Sequence, residues 1–459
     1  MRRIYLFLGL ALLGSCASRV KDIDTTMYLP ENKSFTVYSD SNTSISTIPS
    51  FKNLFPYEEL ESLIRTGLEK SSNWRAKLAK LELVKTSSGL SITESKPSLS
   101  TKLGWKEGSE KTRESNFQNS DIPNLQSAAL FNWEMDLWGK WKMIKKSSIM
   151  HIEEATYLNN TSRISFIHDI AEVWFRLAAK QEQLQILQTT ISSQEKTIGF
   201  YQQRLDAGLD DNITYMRQSV LLDQLNLERA RVLRELEVSK IKLSSLIGNP
   251  LEETLPKIPA LSQIDLPELP EIFPTNALQE RPDIKAKEAK LRESMFMEKS
   301  TEYDLFPSLG FQMSGISMTS NVSEPFEQWK ASFGPVFNFP IWSPKKKILL
   351  ATAKAESELR KKEWKAIIFQ AIEEIESSTR SFMMGNNEYG IAKKSSLATR
   401  SILDTSKEKF QAGLVSELQL LEDERQFLKT NIREIESRLQ IFQFALNLSK
   451  SLGLSLAEI

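Results

Sequence analysis

Between Ala129 and Leu137 the chain alternates: Ala129, Phe131, Trp133, Met135 and Leu137 are apolar at odd positions, and Asn132, Glu134 and Asp136 are polar at even ones. Successive side chains on a strand point to opposite faces. The stretch therefore predicts a two-faced strand, with one face suited to lipid or a core and the other to water. The pattern returns further on, with Ala331, Phe333, Phe337, Phe339 and Ile341 on one side and Lys330, Ser332 and Asn338 on the other. Both strands are expected to end at a tryptophan, Trp138 and Trp342, where long charged helical patterns begin. Each has a preceding partner: Pro97-Ser98-Leu99 and Pro307-Ser308-Leu309 both stop a helix and start a strand.

The helical patterns carry the second signal. From Lys142 to about Asp206 there is no proline, and Ile170, Val173, Leu177, Leu184, Leu187, Ile191 and Ile198 follow coiled-coil spacings of three, four and seven. At 1.5 Å per residue such a helix reaches roughly 95 Å. A return helix follows Gly208 and stops at Ile247-Gly248-Asn249-Pro250. Residues 249–275, with six prolines, read as an irregular connector. The programme then repeats. Gly208 to Gly413 and Gly248 to Gly453 are both 205 residues, so the two return helices align without a gap. In the second, Leu414, Leu418, Leu421, Leu428, Ile432, Ile435, Leu439, Phe442 and Leu446 form a seam in which Arg425 takes one position.

Composition removes most enzyme readings. The chain has 459 residues and a formal net charge of zero, so no global basic field points to nucleic acid. One cysteine allows no disulfide framework, and two histidines, His151 and His168, read as helix-surface or packing residues. No cofactor or metal site is expected. Carboxylates are scattered along helices as solvated faces, without the cluster that a hydrolase needs.

At the N-terminus, Arg2 and Arg3 precede an apolar run from Ile4 to Leu13, too short to span a membrane but suited to a secretory signal. Leu13-Gly14-Ser15-Cys16 resembles the bacterial lipobox, in which the signal is cut before a cysteine that carries lipid. Residues 17–55 follow as a Ser-, Thr- and Asn-rich arm. Four strands are long enough to be barrel staves but too few to close a barrel, and their edges would be exposed. Closure by three copies gives twelve strands, the smallest ring with a reasonable bore, and hence a homotrimer. A periplasmic coiled-coil scaffold would explain the helices but not the strands.

Leu13 to Cys16, Trp133 to Lys140, Arg204 to Gly208, Arg281-Pro282-Asp283-Ile284, Pro340-Ile341-Trp342 and Gly413 onward, taken with the repeat, resemble the TolC-like outer-membrane efflux proteins, in the lipoprotein branch that serves resistance-nodulation-division pumps. The resemblance implies a mixed, mainly α fold with an internal two-fold repeat. Long periplasmic coiled-coil hairpins and four transmembrane β-strands per chain would build a trimeric 12-stranded barrel and a 12-helix tunnel. It implies a passive exit duct in the outer membrane, joined through a periplasmic adaptor to an inner-membrane transporter that drives small molecules or drugs. A type I protein-secretion exit is the alternative.

By the same resemblance, Arg204, Gly208, Lys409 and Gly413 at the two helical reversals would dock the adaptor. Glu422 and Arg425 would form a periplasmic gate, with Arg217, the repeat counterpart of Glu422, as its partner; an ordinary intrahelical Glu422–Arg425 pair is the competing reading. Thr214 departs from the family pattern, which favours Asp there. The loops from Lys106 to Pro123 and Thr319 to Gln328 would face outside. The expected organisation is a lipoprotein signal at 1–15, a lipid-anchored arm at 16–55, a first repeat at 56–248, the connector at 249–275, a second repeat at 276–453 and a tail at 454–459.

Overall fold

The computed structural model describes residues 50–105, 109–110, 120–121, 125–209, 211–249, 256–268, 277–319 and 328–455. The expected signal, Cys16, nearly all of the arm and most of both outward loops lie outside these residues. The described chain divides into two compact units. One holds Leu81–Tyr157 and Lys285–Ala366; the other holds residues 50–80, Leu158–Ile284 and Ile367–Ile459. Each unit thus takes segments from both sequence repeats.

In chain order the elements are α1 (Phe51–Leu54), α2 (Glu58–Lys70), α3 (Ser72–Thr93), β1 (Ser98–Trp105), β2 (Ser109–Glu110), β3 (Ser120–Asp121), β4 (Leu125–Met135), α4 (Lys140–Asp206), α5 (Asn212–Leu246), a 3-10 turn at Leu261–Gln263, α6 (Ala277–Glu280), α7 (Pro282–Tyr303), β5 (Ser308–Thr319), β6 (Gln328–Asn338), α8 (Pro344–Gln411) and α9 (Glu417–Ser451). The repeat is visible in the lengths. α5 and α9 are both 35 residues, α4 and α8 are 67 and 68, and α3 and α7 are both 22.

The strands form one antiparallel sheet in the order β1-β4-β5-β6, with β2 and β3 as a small separate pair. β4 and β6 stop at Met135 and Asn338, short of the tryptophans at which the alternation suggested they would end. At the first junction the cause is Asp136. Its carboxylate accepts hydrogen bonds from the Trp141 and Lys142 backbone N–H groups at 3.1 and 2.9 Å, so it caps the start of α4 instead of extending the ladder. At the second, Pro340 has no N–H to give. Trp138 lies in the connection, where its Nε1 donates to the Pro307 carbonyl at 2.6 Å. Lys140 fixes the same junction through Glu134 and Asp304, at 3.3 and 2.9 Å. Burial alone would lower the Lys140 pKa, but these two carboxylates raise it.

The second unit has the aromatic core. Phe51, Leu60 and Ile64 from α1 and α2 are fully buried, as are Ile167, Ile170, Trp174, Phe175 and Leu177 from α4. Phe175 stacks on Phe442 of α9 at 4.3 Å, and Tyr57 on Trp174 at 5.6 Å. Each such side chain contributes about 1.5–3 kcal/mol when fully removed from water. Arg281, immediately before α7, is buried. It bonds Asp283 at 2.6 Å, Glu374 at 2.7 Å and the Ser451 carbonyl at 2.8 Å, so one guanidinium ties α7, α8 and the end of α9 together.

His168 is a core residue, set between the Ile164 carbonyl at 2.8 Å and Ser449 Oγ at 3.2 Å, with Phe51 edge-on at 5.2 Å. Burial, with a smaller push from Lys450, lowers its pKa to about 4. A histidine lowered on folding contributes stability that is present above its unfolded value of about 6.5 and is lost as pH falls towards the folded value. His168 is therefore expected to cost about 3 kcal/mol of unfolding free energy between neutral pH and pH 4. A His168→Gln variant, followed by urea unfolding in detergent, should lose that part of the pH dependence; an unchanged pH slope would contradict it.

Candidate functional site

The sheet register sorts the side chains more sharply than the sequence alternation alone. Leu99 lies opposite Phe131, Phe131 opposite Met313, and Met313 opposite Phe333. Paired residues on antiparallel strands share a face. The odd positions of all four strands therefore lie together: Leu99, Leu103 and Trp105, then Phe131 and Trp133, then Phe311 and Met313, then Trp329, Phe333 and Phe337. Trp133, Phe311 and Phe333 stack in a row across three strands at 6.2 Å spacings. The even face carries Ser98, Ser100 and Lys102, then Gln126, Asn132 and Glu134, then Gln312 and Ser314, then Lys330, Ser332 and Asn338, with Ala128, Leu130, Ile316, Met318 and Val336 among them and a hydroxyl pair between Ser314 and Ser332 at 2.7 Å.

The apolar face is uncovered in the single chain. Leu99, Leu103, Trp329 and Phe333 are each more than 70% exposed. No described helix is long and apolar enough to cross a membrane. The sheet is instead one whose apolar face needs a non-aqueous environment and whose other face suits water. β1 and β6 are its edges, each paired on one side alone among the described residues.

Both helical reversals are built identically. At the first, the Gly208 N–H donates to the Leu205 carbonyl at 3.0 Å and the Leu209 N–H to the Arg204 carbonyl at 2.8 Å. At the second, Gly413 donates to Phe410 at 2.9 Å and Leu414 to Lys409 at 2.8 Å. This double bond is the Schellman motif, which requires a left-handed residue, and φ is +66° at Gly208 and +71° at Gly413. Leu209 and Leu414, one residue beyond, are 67% and 75% exposed. The side chain of Arg204 lies over the Phe200 ring at 5.6 Å.

Above the second turn, Arg425 Nη2 donates to both Glu422 carboxylate oxygens, at 2.7 and 2.8 Å, on an exposed face. Arg217 makes no ion pair with Glu422 within the chain. Thr214 belongs to a helix cap: its backbone N–H and hydroxyl both donate to Asp211, at 2.9 and 2.8 Å, and these bonds hold the Asp211 carboxyl below the usual carboxylate range. Sequence reasoning missed the polar groups that bridge α8 and α9 near this turn. Ser406 Oγ donates to Asp423 at 2.5 Å, Thr399 and Thr430 share a hydrogen bond at 2.6 Å, and Lys407 lies 3.9 Å from Glu424. Burial raises the Glu424 carboxyl, partly offset by Lys407. Folding the sequence back on itself about Gly413 would have found these pairs.

The seam of α9 divides. Leu421, Leu428, Ile435 and Phe442, spaced by seven, are buried, whereas Leu414 and Leu418 are exposed, as is Arg425. Leu428 packs into a cluster with Leu187, Ile191, Leu225 and Val232 of the first hairpin.

A model of the family described as "Outer membrane efflux protein" matches residues 63–249 and 273–454. The chain belongs to the outer membrane efflux protein family. It is 22% identical over 465 residues to the pyoverdine export outer membrane protein OpmQ of Pseudomonas aeruginosa, covering 99% of this chain and 97% of that one. It is 20% identical over 433 residues to the solvent efflux pump outer membrane protein SrpC of Pseudomonas putida, covering 92% and 91%. Its fold matches the Campylobacter jejuni CmeC outer membrane channel with a TM-score of 0.80 at 17% identity, covering 91% of each chain. This outer membrane efflux protein is thus a channel component of an efflux system in the outer membrane. As a family member it is a passive conduit, not an enzyme.

Proposed function

We propose that three copies of this protein form a closed exit duct, anchored by lipid at Cys16, that carries small molecules from a periplasmic adaptor and an inner-membrane transporter across the outer membrane. One observation carries the trimer: the register gathers the aromatic side chains on one face of a sheet whose two edge strands have, among the described residues, no partner on their outer side. Open edges in lipid leave backbone groups unsatisfied, which costs several kcal/mol for each group. Pairing β1 of one copy with β6 of the next removes both edges. Two copies would give eight strands, whose interior is filled by side chains; twelve leave a bore. The mass of the detergent-extracted protein, measured by light scattering with the detergent subtracted, is expected to be three chains. A stable species of one or two chains would contradict the proposal.

The turns support the docking and gating roles that the family resemblance implies. Leu209 and Leu414 offer exposed apolar side chains at the two reversals, beside Arg204 and Lys409, as a small surface for an adaptor. In the gate, Glu422 holds Arg425 outward on the exposed face of α9, where Arg217 of the first hairpin can face it from a neighbouring chain. The ion pair by itself is worth about 0.2–0.5 kcal/mol. Repeated around a ring of three, and joined to contacts between copies, it sets the resting aperture. Glu422→Ala is expected to raise the open probability of the reconstituted channel several-fold without changing its oligomeric mass. Single-channel recording checks this, and an unchanged open probability would remove Glu422 from the gate. The relatives' names span pyoverdine and solvents, in keeping with selectivity that resides in the pump.

A further inference from the structure

His151 has no part in the duct, yet its surroundings are specific. It lies on α4 one turn before Glu154, and α7 brings Glu293 to the same place. His151 Nδ1 is 3.5 Å from Glu154 Oε2 and 3.4 Å from Glu293 Oε2, and the three candidate ligand atoms lie within 4.8 Å of one another. Nδ1 is nevertheless a buried nitrogen with no hydrogen-bond partner. It therefore presents two oxygens at a spacing too long, or too poorly aligned, for a hydrogen bond. A tetrahedral zinc ion with ligand bonds of about 2.0–2.1 Å holds neighbouring ligand atoms about 3.3–3.5 Å apart. Two edges of that tetrahedron are already present.

The charge also fits a cation. Lys290 Nζ lies 3.3 Å from Glu154 Oε2 and 2.9 Å from Glu293 Oε2, the same two oxygens that face the imidazole. Two carboxylates and one ammonium leave a net charge of −1 beside the imidazole ring. A divalent ion could replace the ammonium, whose flexible four-carbon stem lets it swing to solvent. Helical proteins ligate transition metals with a Glu and a His three apart on one helix and carboxylates from facing helices; here the helical pair runs in the opposite order, His151 before Glu154.

We infer that His151, Glu154 and Glu293 form a site for a divalent transition metal of the zinc type, with Lys290 as the built-in counter-cation that the metal displaces. The ion would join α4 to α7 within the unit that carries the sheet. Three protein ligands leave a fourth position for water, and no chemistry beyond binding is needed. The placeholder lysine makes binding weaker than in a dedicated structural site, so the site would respond to a rise in free metal rather than stay permanently filled.

The test uses the full-length protein in detergent, titrated with zinc chloride by calorimetry. One zinc per chain is expected, with binding weakened about tenfold or more by His151→Ala and strengthened several-fold by Lys290→Met. A second readout needs no ligand substitution. With two histidines in the chain and His168 buried, diethyl pyrocarbonate should modify His151 alone, and zinc should protect it. Oligomeric mass is checked for each variant so that misfolding is not read as lost binding. Zinc affinity unchanged in His151→Ala, or no protection of His151 at millimolar zinc, would overturn the site. Affinity unchanged in Lys290→Met would overturn the role of the lysine.

Discussion

Valine at both Gly208 and Gly413 is expected to abolish efflux while leaving a trimer of normal abundance in the outer membrane. Both glycines have positive φ, at +66° and +71°, and a Cβ built on either meets no atom within 4 Å. The substitution therefore meets no steric overlap. Its cost is confined to the left-handed backbone, about 1–2 kcal/mol at each site, and a β-branched residue there is a strong outlier. Helices of 67 and 68 residues do not unravel for that amount. The turn instead gives up its double hydrogen bond, and Leu209 and Leu414 move. If those leucines, with Arg204 and Lys409, receive the adaptor, docking fails and transport stops. Dye accumulation in cells reads transport, and adaptor co-purification reads docking. Loss of the trimer itself would show that the turns are needed for assembly rather than docking.

The same substitution at Gly248 is expected to have the opposite outcome, loss of the fold. Its φ of +86° resembles that of the tip glycines, and the same motif closes α5, with Gly248 donating to Ser245 at 3.2 Å and Asn249 to Ser244 at 2.9 Å. The surroundings differ. A Cβ at Gly248 would lie 2.6 Å from both the carbonyl carbon and oxygen of Lys70 and 2.9 Å from the Ser71 nitrogen. Those are backbone atoms between α2 and α3 and cannot rotate away. Strained backbone adds about 1–3 kcal/mol and overlap a further 1–3 kcal/mol or so, a large fraction of a typical stability. Gly248→Val should give little folded protein, and Gly248→Ala a markedly lower midpoint in urea. Gly453→Val is the control. It shares a positive φ of +73°, but its nearest neighbour, Arg281 Cγ, is 3.4 Å away, and it should be milder. Equal midpoints for the two sites would contradict the packing explanation.

Gly208 and Gly248 also mark what could be read from the sequence. Both stood out as helix stops with partners 205 residues on, and α5 and α9 do keep that offset at both ends. The strands were legible because an alternation has a period of two. Their ends were not, because Asp136 reads equally well as the last polar position of a strand and as the cap of the next helix. The family resemblance was carried by motifs spread along the chain, and the family match extends over all of them but Leu13 to Cys16. The two compact units were hidden for a simple reason: each boundary falls inside a continuous helix, at 80/81, 157/158, 284/285 and 366/367, where no turn residue marks it.

The site residues were legible to differing degrees. Gly208 and Gly413 were found from conformation, which sequence reports well through glycine. Glu422 and Arg425 form the ordinary i,i+3 pair that was the competing reading of the gate. The Ser406–Asp423 and Thr399–Thr430 bridges were missed because each joins residues that are ordinary on their own helix. His151 looked like a surface histidine for the same reason: Glu293, more than a hundred residues away, gives it a context that helical spacing on α4 cannot reveal.

Single-channel recording of the purified protein in a planar bilayer tests most directly whether this chain makes a duct. Discrete conductance steps from the detergent-extracted protein, with the same unit step in every insertion event, are expected from a closed ring of strands. Preparations that insert without conductance, or that give only graded leaks of no fixed size, would mean that the edges of β1 and β6 are not joined between copies, and every tunnel, docking and gate assignment would fall with them.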